Sequence, residues 1–170
     1  KVVPRGKLGE LCVRGYSVML GYWEDNDKTQ EVIDVAKWMH TGDIAEMDEE
    51  GFVKIKGRIK DVVIRGGENL FPKEIEDFLY THPDVSDVQV IGLPDPRYGE
   101  ELCACIILHE HHQINEEAIR QYCAEHISHN KVPRYVRFFT EFPMTASGKA
   151  QKFKLQELMR QELNLLEDIA

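Results

Sequence analysis

The stretch GRIKDVVIRGGENLFPKEIEDFL, residues 57–79, decides the fold. Within it, DVVIRGGENLF reads as a strand, a turn at Gly66 and Gly67, and a returning strand. Pro72 then fits the first position of a helix, because its missing N–H is unneeded there and its φ is preset. Glu74 and Glu76 are expected in the first turn, facing the positive end of the helix dipole. Ile75, Phe78 and Leu79 supply an apolar stripe, and the helix must stop before Pro83.

Downstream, VSDVQVIGL and ELCACIIL read as strands, Asn115 caps a helix whose Ile119, Tyr122 and Cys123 face inward, and VRFF reads as another strand. A final amphipathic helix is expected from Lys152 through Leu155, Leu158, Met159 and Leu163. This order implies an α+β domain of about 110 residues. Upstream the pattern differs. GELCVRGYSVMLGYW, residues 9–23, mixes β-branched, aromatic and glycine residues and predicts short strands and turns. A brief helix is expected around Thr29–Val35, and IAEMDEEGFVKIKGR reads as a hairpin of Ile44–Met47 with Phe52–Lys56. A boundary near Ile59–Asp61 follows.

With 30 acidic against 21 basic residues and a formal charge of -9, the chain lacks the cationic surface that duplex nucleic acid requires. No apolar run approaches the roughly 20 residues that span a bilayer. The start, KVVPRGKLGE, has neither an initiating Met nor a leader pattern, so the native N-terminus is expected to lie further upstream. The four cysteines form no CxxC pair, which points to a reducing compartment. Cys103 and Cys105 are expected to share one buried strand face, and His109, His111 and His112 to sit on a solvated loop.

Four stretches carry the chemistry or its scaffold. In WMHTGD, Asp43 is expected on a glycine-containing loop after a strand, where a carboxylate suits a ribose diol; an ordinary turn explains the same residues. Arg58 offers a permanently charged fork for a ribose hydroxyl or a phosphate, with a surface salt bridge as the competing reading. Gly66 and Gly67 permit close approach of a ligand to the backbone, as well as a simple hairpin turn. In FPMTASGKAQK, Lys149 projects from a bare loop and could reach developing phosphate or carboxylate charge, although exposed lysines on turns are commoner. GELCVRGYSVMLGYW has no catalytic group and reads as scaffold.

WMHTGD, GRIKDVVIRGGEN and PMTASGK, in this order and spacing, resemble the later signature motifs of the adenylate-forming superfamily, which comprises acyl-CoA synthetases, peptide-synthetase adenylation domains and luciferase. RGGENLFPKEIED and HPDVSDVQVIGLPDPRYGEELCA are most similar to the medium-chain fatty acyl-CoA synthetases. The resemblance implies an α+β fold: a small, mobile C-terminal domain at residues 62–170, a hinge at residues 59–61, and before it, at residues 1–58, the β-rich end of a truncated ATP-binding domain.

The implied activity is that of an AMP-forming acid–thiol ligase, which makes an acyl-adenylate from a carboxylate and ATP and then an acyl-CoA thioester. Asp43 and Arg58 match the residues that hold the nucleotide ribose, Lys149 the catalytic lysine, and Lys60 the hinge. Arg65, Gly66 and Gly67 match the turn that lines the pantetheine path of coenzyme A. The implied partners are a fatty or related carboxylic acid, ATP, coenzyme A and the chain's own N-terminal domain, with homo-oligomerisation compatible. Mg2+ is expected to be held by sequence before this chain, as are the phosphate loop and the acyl pocket, so the fragment alone is expected to be inactive. His40 is given no role. A bacterial cytoplasm is expected, with the mitochondrial matrix as the alternative. A carrier-protein-loading adenylation domain and a noncatalytic binding module are the competing readings.

Overall fold

A computed structural model describes residues 2–165, and the chain divides into two compact units at Lys60/Asp61. In the first unit, β1 (Leu8–Val13), β2 (Met39–Met47) and β3 (Val53–Arg58) form an antiparallel sheet in that order. Helix α1 spans Asn26–Val32, three residues ahead of its expected start. Asp25 sets that start by accepting a hydrogen bond from Lys28 N, and Ile33 is already extended. Val35, expected in this helix, is fully exposed beyond it. Strand β2 also begins earlier than expected, so Asp43 lies within a strand and not on a loop after one. The cause is long-range: β1 pairs with Met39 and His40 and again with Ile44–Glu46, and the register shift between them falls at Gly42, φ 72°, whose N–H donates to Glu10 Oε1.

The second unit contains β4 (Val63–Arg65), β5 (Glu68–Leu70), α2 (Pro72–Leu79), β6 (Val85–Asp95), β7 (Gly99–Leu108), α3 (Glu116–His126), β8 (Tyr135–Phe138) and α4 (Lys152–Glu162). Its five-stranded sheet runs β5-β4-β7-β6, with β8 parallel to β7. Alternation along β7 assigns the two faces. Leu102, Ala104 and Ile106 meet Ile75 and Leu79 of α2 and Ile119 and Cys123 of α3 in one core. Cys103 and Cys105 point the other way, to Phe142 and to Leu155 and Met159 of α4. The unit is therefore a sheet with helices on both faces, in the expected α+β class.

Two expected side-chain placements differ. Leu158 is 46% exposed, because α4 buries the stripe through Leu155 and Met159 and leaves Leu158 at its edge. Glu76 is the fifth residue of α2, beyond its first turn, and its carboxylate is drawn to Val90 N and Lys152. Asn115 caps α3 as expected, accepting from Ala118 N at 2.8 Å. No helix of the described residues is long and apolar enough to cross a membrane.

Candidate functional site

Asp43 and Arg58 are cross-strand partners in the first unit. Arg58 Nε donates to Asp43 Oδ1 at 3.1 Å, so the sequence candidates for one nucleotide pair with each other. The backbone at Asp43 is fixed from behind: Asp43 N donates to Thr41 Oγ1, and that hydroxyl donates to Leu11 O. Among the described residues Oδ2 has no hydrogen-bond partner, which leaves an acceptor beside a cation.

Next to them stands a group that the sequence reading missed. His40 Nδ1 lies 2.7 Å from Glu10 and Nε2 lies 3.8 Å from Asp34. The hydrogen bond to Glu10 pushes the imidazole above its ordinary 6.5, outweighing the opposite effect of burial, and the Glu10 and Asp34 charges add to it. Glu10, Cys12 and His40 bring ligand-type atoms within 4.8 Å of one another, and a metal could bridge them. The Glu10–His40 hydrogen bond accounts for this arrangement without an ion. A signal was available in the period-two spacing of Glu10 and Cys12, but the partner strand was not.

In the second unit, Gly66 and Gly67 form a two-residue turn between β4 and β5, with φ of 59° and 86°. Positive φ at both central residues matches the right-handed strand twist and excludes most side chains. Gly66 N donates to Tyr98 O at 2.8 Å, tying the turn to the β6–β7 corner. Arg65 is turned inward: its Nη1 donates to Asn130 O, and its guanidinium lies over the Tyr98 ring. Its Nε stands 2.9 Å from Oε2 of Glu101, which is 1% exposed, but off a hydrogen-bond direction, so this pairing is Coulombic. Nothing local in the sequence marks Glu101 as a partner, since it follows Glu100 at the polar start of β7. Nearby, Asp95 accepts from the Arg97 and Tyr98 backbone N–H groups and pairs with Arg134. Burial alone would raise its carboxyl, yet these donors hold it below the ordinary 3.8.

Lys149 stands on a loop that Thr145 closes. Thr145 N donates to Lys149 O, Lys149 N donates to Thr145 Oγ1, and Gly148 N donates to Thr145 O. Gly148 adopts φ 77°, and Met144 and Ala150 pair across the base. The Lys149 side chain is exposed and has no ion pair among the described residues. The tight loop fixes the lysine backbone while leaving the ammonium free to engage an anion. Arg65, Gly66, Gly67 and Lys149 thus belong to the second unit, whereas Asp43, Arg58 and Lys60 belong to the first.

Residues 74–149 match the family described as AMP-binding enzyme C-terminal domain. Residues 74–149 carry an AMP-binding enzyme C-terminal domain. Over 157 residues, 92% of this chain, it is 59% identical to the protein named medium-chain acyl-CoA ligase ACSF2, mitochondrial, of Bos taurus. The match covers 26% of that relative, so the chain spans about a quarter of the length of the curated relatives it matches. Among solved structures, ATP-bound MatB from Rhodopseudomonas palustris superposes with a TM-score of 0.86 at 34% identity, covering 94% of this chain and 32% of the other. The amide bond synthetase McbA from Marinactinospora thermotolerans gives 0.85 at 34% identity, with the same coverages.

Proposed function

We propose that this chain is the C-terminal part of an ATP-dependent acyl-CoA synthetase acting on a medium-chain or related carboxylic acid. The observation that carries this reading is Lys149, an exposed ammonium on a loop whose backbone Thr145 closes at both ends. In the first half-reaction that ammonium bridges the attacking carboxylate and the α-phosphate, stabilising charge as it develops. Asp43 accepts hydrogen bonds from the ribose hydroxyls through the oxygen not taken by Arg58, and Arg58 orients the carboxylate beside the nucleotide. Pyrophosphate leaves. In the second half-reaction the Gly66–Gly67 turn lines the path of the coenzyme A thiol, with Arg65 bracing it from inside. Lys60, the last residue of the first unit, is the pivot between the two half-reactions.

ATP and coenzyme A are accordingly its co-substrates. Mg2+ bound with ATP neutralises phosphate charge, and none of the residues assigned here is a ligand for it. The 59% identity to a protein named as mitochondrial favours the matrix over a bacterial cytoplasm.

The test uses the full-length enzyme and separates carboxylate-dependent ATP–pyrophosphate exchange from thioester formation on supplied acyl-adenylate. Lys149→Ala is expected to lower exchange by about 100- to 1,000-fold, while thioester formation changes far less. Equal loss in both half-reactions overturns the role of Lys149. Transfer to a carrier protein alone, with no CoA thioester, overturns the acceptor assignment.

A further inference from the structure

Helix α4 starts against its own dipole. Its first turn carries Lys152 and Lys154 and no acidic residue, and no side chain caps it. Cations there are locally unfavourable, so some other contact holds Lys152 in place.

Lys152 Nζ donates to Glu76 Oε1 at 2.5 Å and to Val90 O at 3.1 Å. Both partners are well covered, with side-chain exposures of 20% for Lys152 and 14% for Glu76. The same Glu76 oxygen accepts from Val90 N at 2.8 Å, so one carboxylate joins α2, β6 and the start of α4. Between buried Phe142 and buried Leu155, every other hydrogen bond of the described residues stays within the segment itself: Gln151 N to Pro143 O, Gln151 Nε2 to Met144 O, and the Thr145 closures. Lys152, three residues from Lys149, is thus the nearest polar tie between the lysine loop and the body of its unit. The next is Gln156 to Gly92 O, one turn further along α4.

We infer that Lys152 and Glu76 are positioning residues for Lys149, fixing where its loop leaves the sheet and hence where the ammonium reaches. The pair also neutralises Lys152, so that Lys149 is the exposed cation of the loop. This inference rests on the adenylation role proposed for Lys149. Since a misplacement of about 1 Å at a reacting group costs about 100-fold, loosening this tie lowers turnover in adenylation without removing any substrate contact.

The experiment compares Lys152→Met, Lys152→Arg, Glu76→Gln and Lys149→Ala in the full-length enzyme, with kcat and KM for ATP and carboxylate measured in pyrophosphate exchange. Lys152→Met keeps the apolar stem and Glu76→Gln keeps an acceptor for Val90 N, so each breaks the ion pair while retaining a different part of the local packing and hydrogen bonding. Each is expected to lower exchange kcat by about 10- to 100-fold with KM changed by less than about threefold, while thioester formation from supplied acyl-adenylate stays within about twofold. Lys152→Arg is expected to restore most of the rate. Exchange at the wild-type rate in Lys152→Met and Glu76→Gln, with Lys149→Ala inactive, overturns the anchor alone. Equal loss in both half-reactions, or no rescue by arginine, likewise overturns it as a positioning device. Exchange retained in Lys149→Ala overturns both the anchor and the reading on which it rests.

Discussion

Replacing Gly67 separates a structural turn from a substrate channel, and the expected cost can be worked from the backbone. Gly67 sits at φ 86°, and a Cβ built on it meets nothing within 4 Å. Packing therefore contributes no penalty, and Gly67→Val is charged only for placing a β-branched residue in left-handed conformation, about 1–2 kcal/mol. Gly67→Asn adds comparable reach with little of that strain, because asparagine tolerates this region. If the turn only joins β4 to β5, Val destabilises it, Asn does not, and neither changes chemistry selectively. If the turn lines the thiol path, both variants obstruct it regardless of strain.

The assay is thioester formation from supplied acyl-adenylate and CoA, paired with pyrophosphate exchange and hydrogen exchange at the turn amides. Both variants are expected to lose about tenfold or more in thioester formation, with pyrophosphate exchange within about twofold. Faster hydrogen exchange is expected for Val alone. Wild-type thioester formation in both variants refutes the channel assignment, whatever the stability data show.

Two further outcomes test the fold. Leu155→Ala removes a fully buried side chain from the α4 face and is expected to destabilise by about 2–5 kcal/mol in denaturant unfolding, against less than about 1 kcal/mol for Leu158→Ala, which is half exposed; equal effects would contradict the orientation of α4. His40→Asn should cost stability below the ordinary imidazole value of 6.5 and converge on wild type as pH rises through the higher folded value, because a raised folded pKa favours the folded state only while the ring is protonated. Thermal melts at about pH 6 and about pH 9 read this, and a pH-independent difference would rule out the Glu10–His40–Asp34 bridge as its origin.

Much of this architecture is readable locally. Alternation alone puts Cys103 and Cys105 on one face and Leu102, Ala104 and Ile106 on the other, because the strand period of two is a property of the backbone. Pro72 at the start of α2 and Asn115 as the α3 cap depend on orphan N–H groups a few residues away. The candidate residues Asp43, Arg58 and Lys149 were legible because their motifs keep a fixed order and spacing, yet residue type left each with a plain surface role as an equal or better account.

The tertiary structure decided the pairings. Asp43 became a strand residue because β1 and β3 flank β2, and its partner proved to be Arg58. Arg65 turned inward to Glu101, 36 residues away in sequence but adjacent once β4 meets β7. Glu76, which local rules assign to its own helix dipole, instead meets Lys152 across the folded unit. Hydrogen-bond and dipole preferences act over a few residues and are therefore written in the sequence. Which distant charges are desolvated together depends on how the sheet is closed, and no local pattern encodes it.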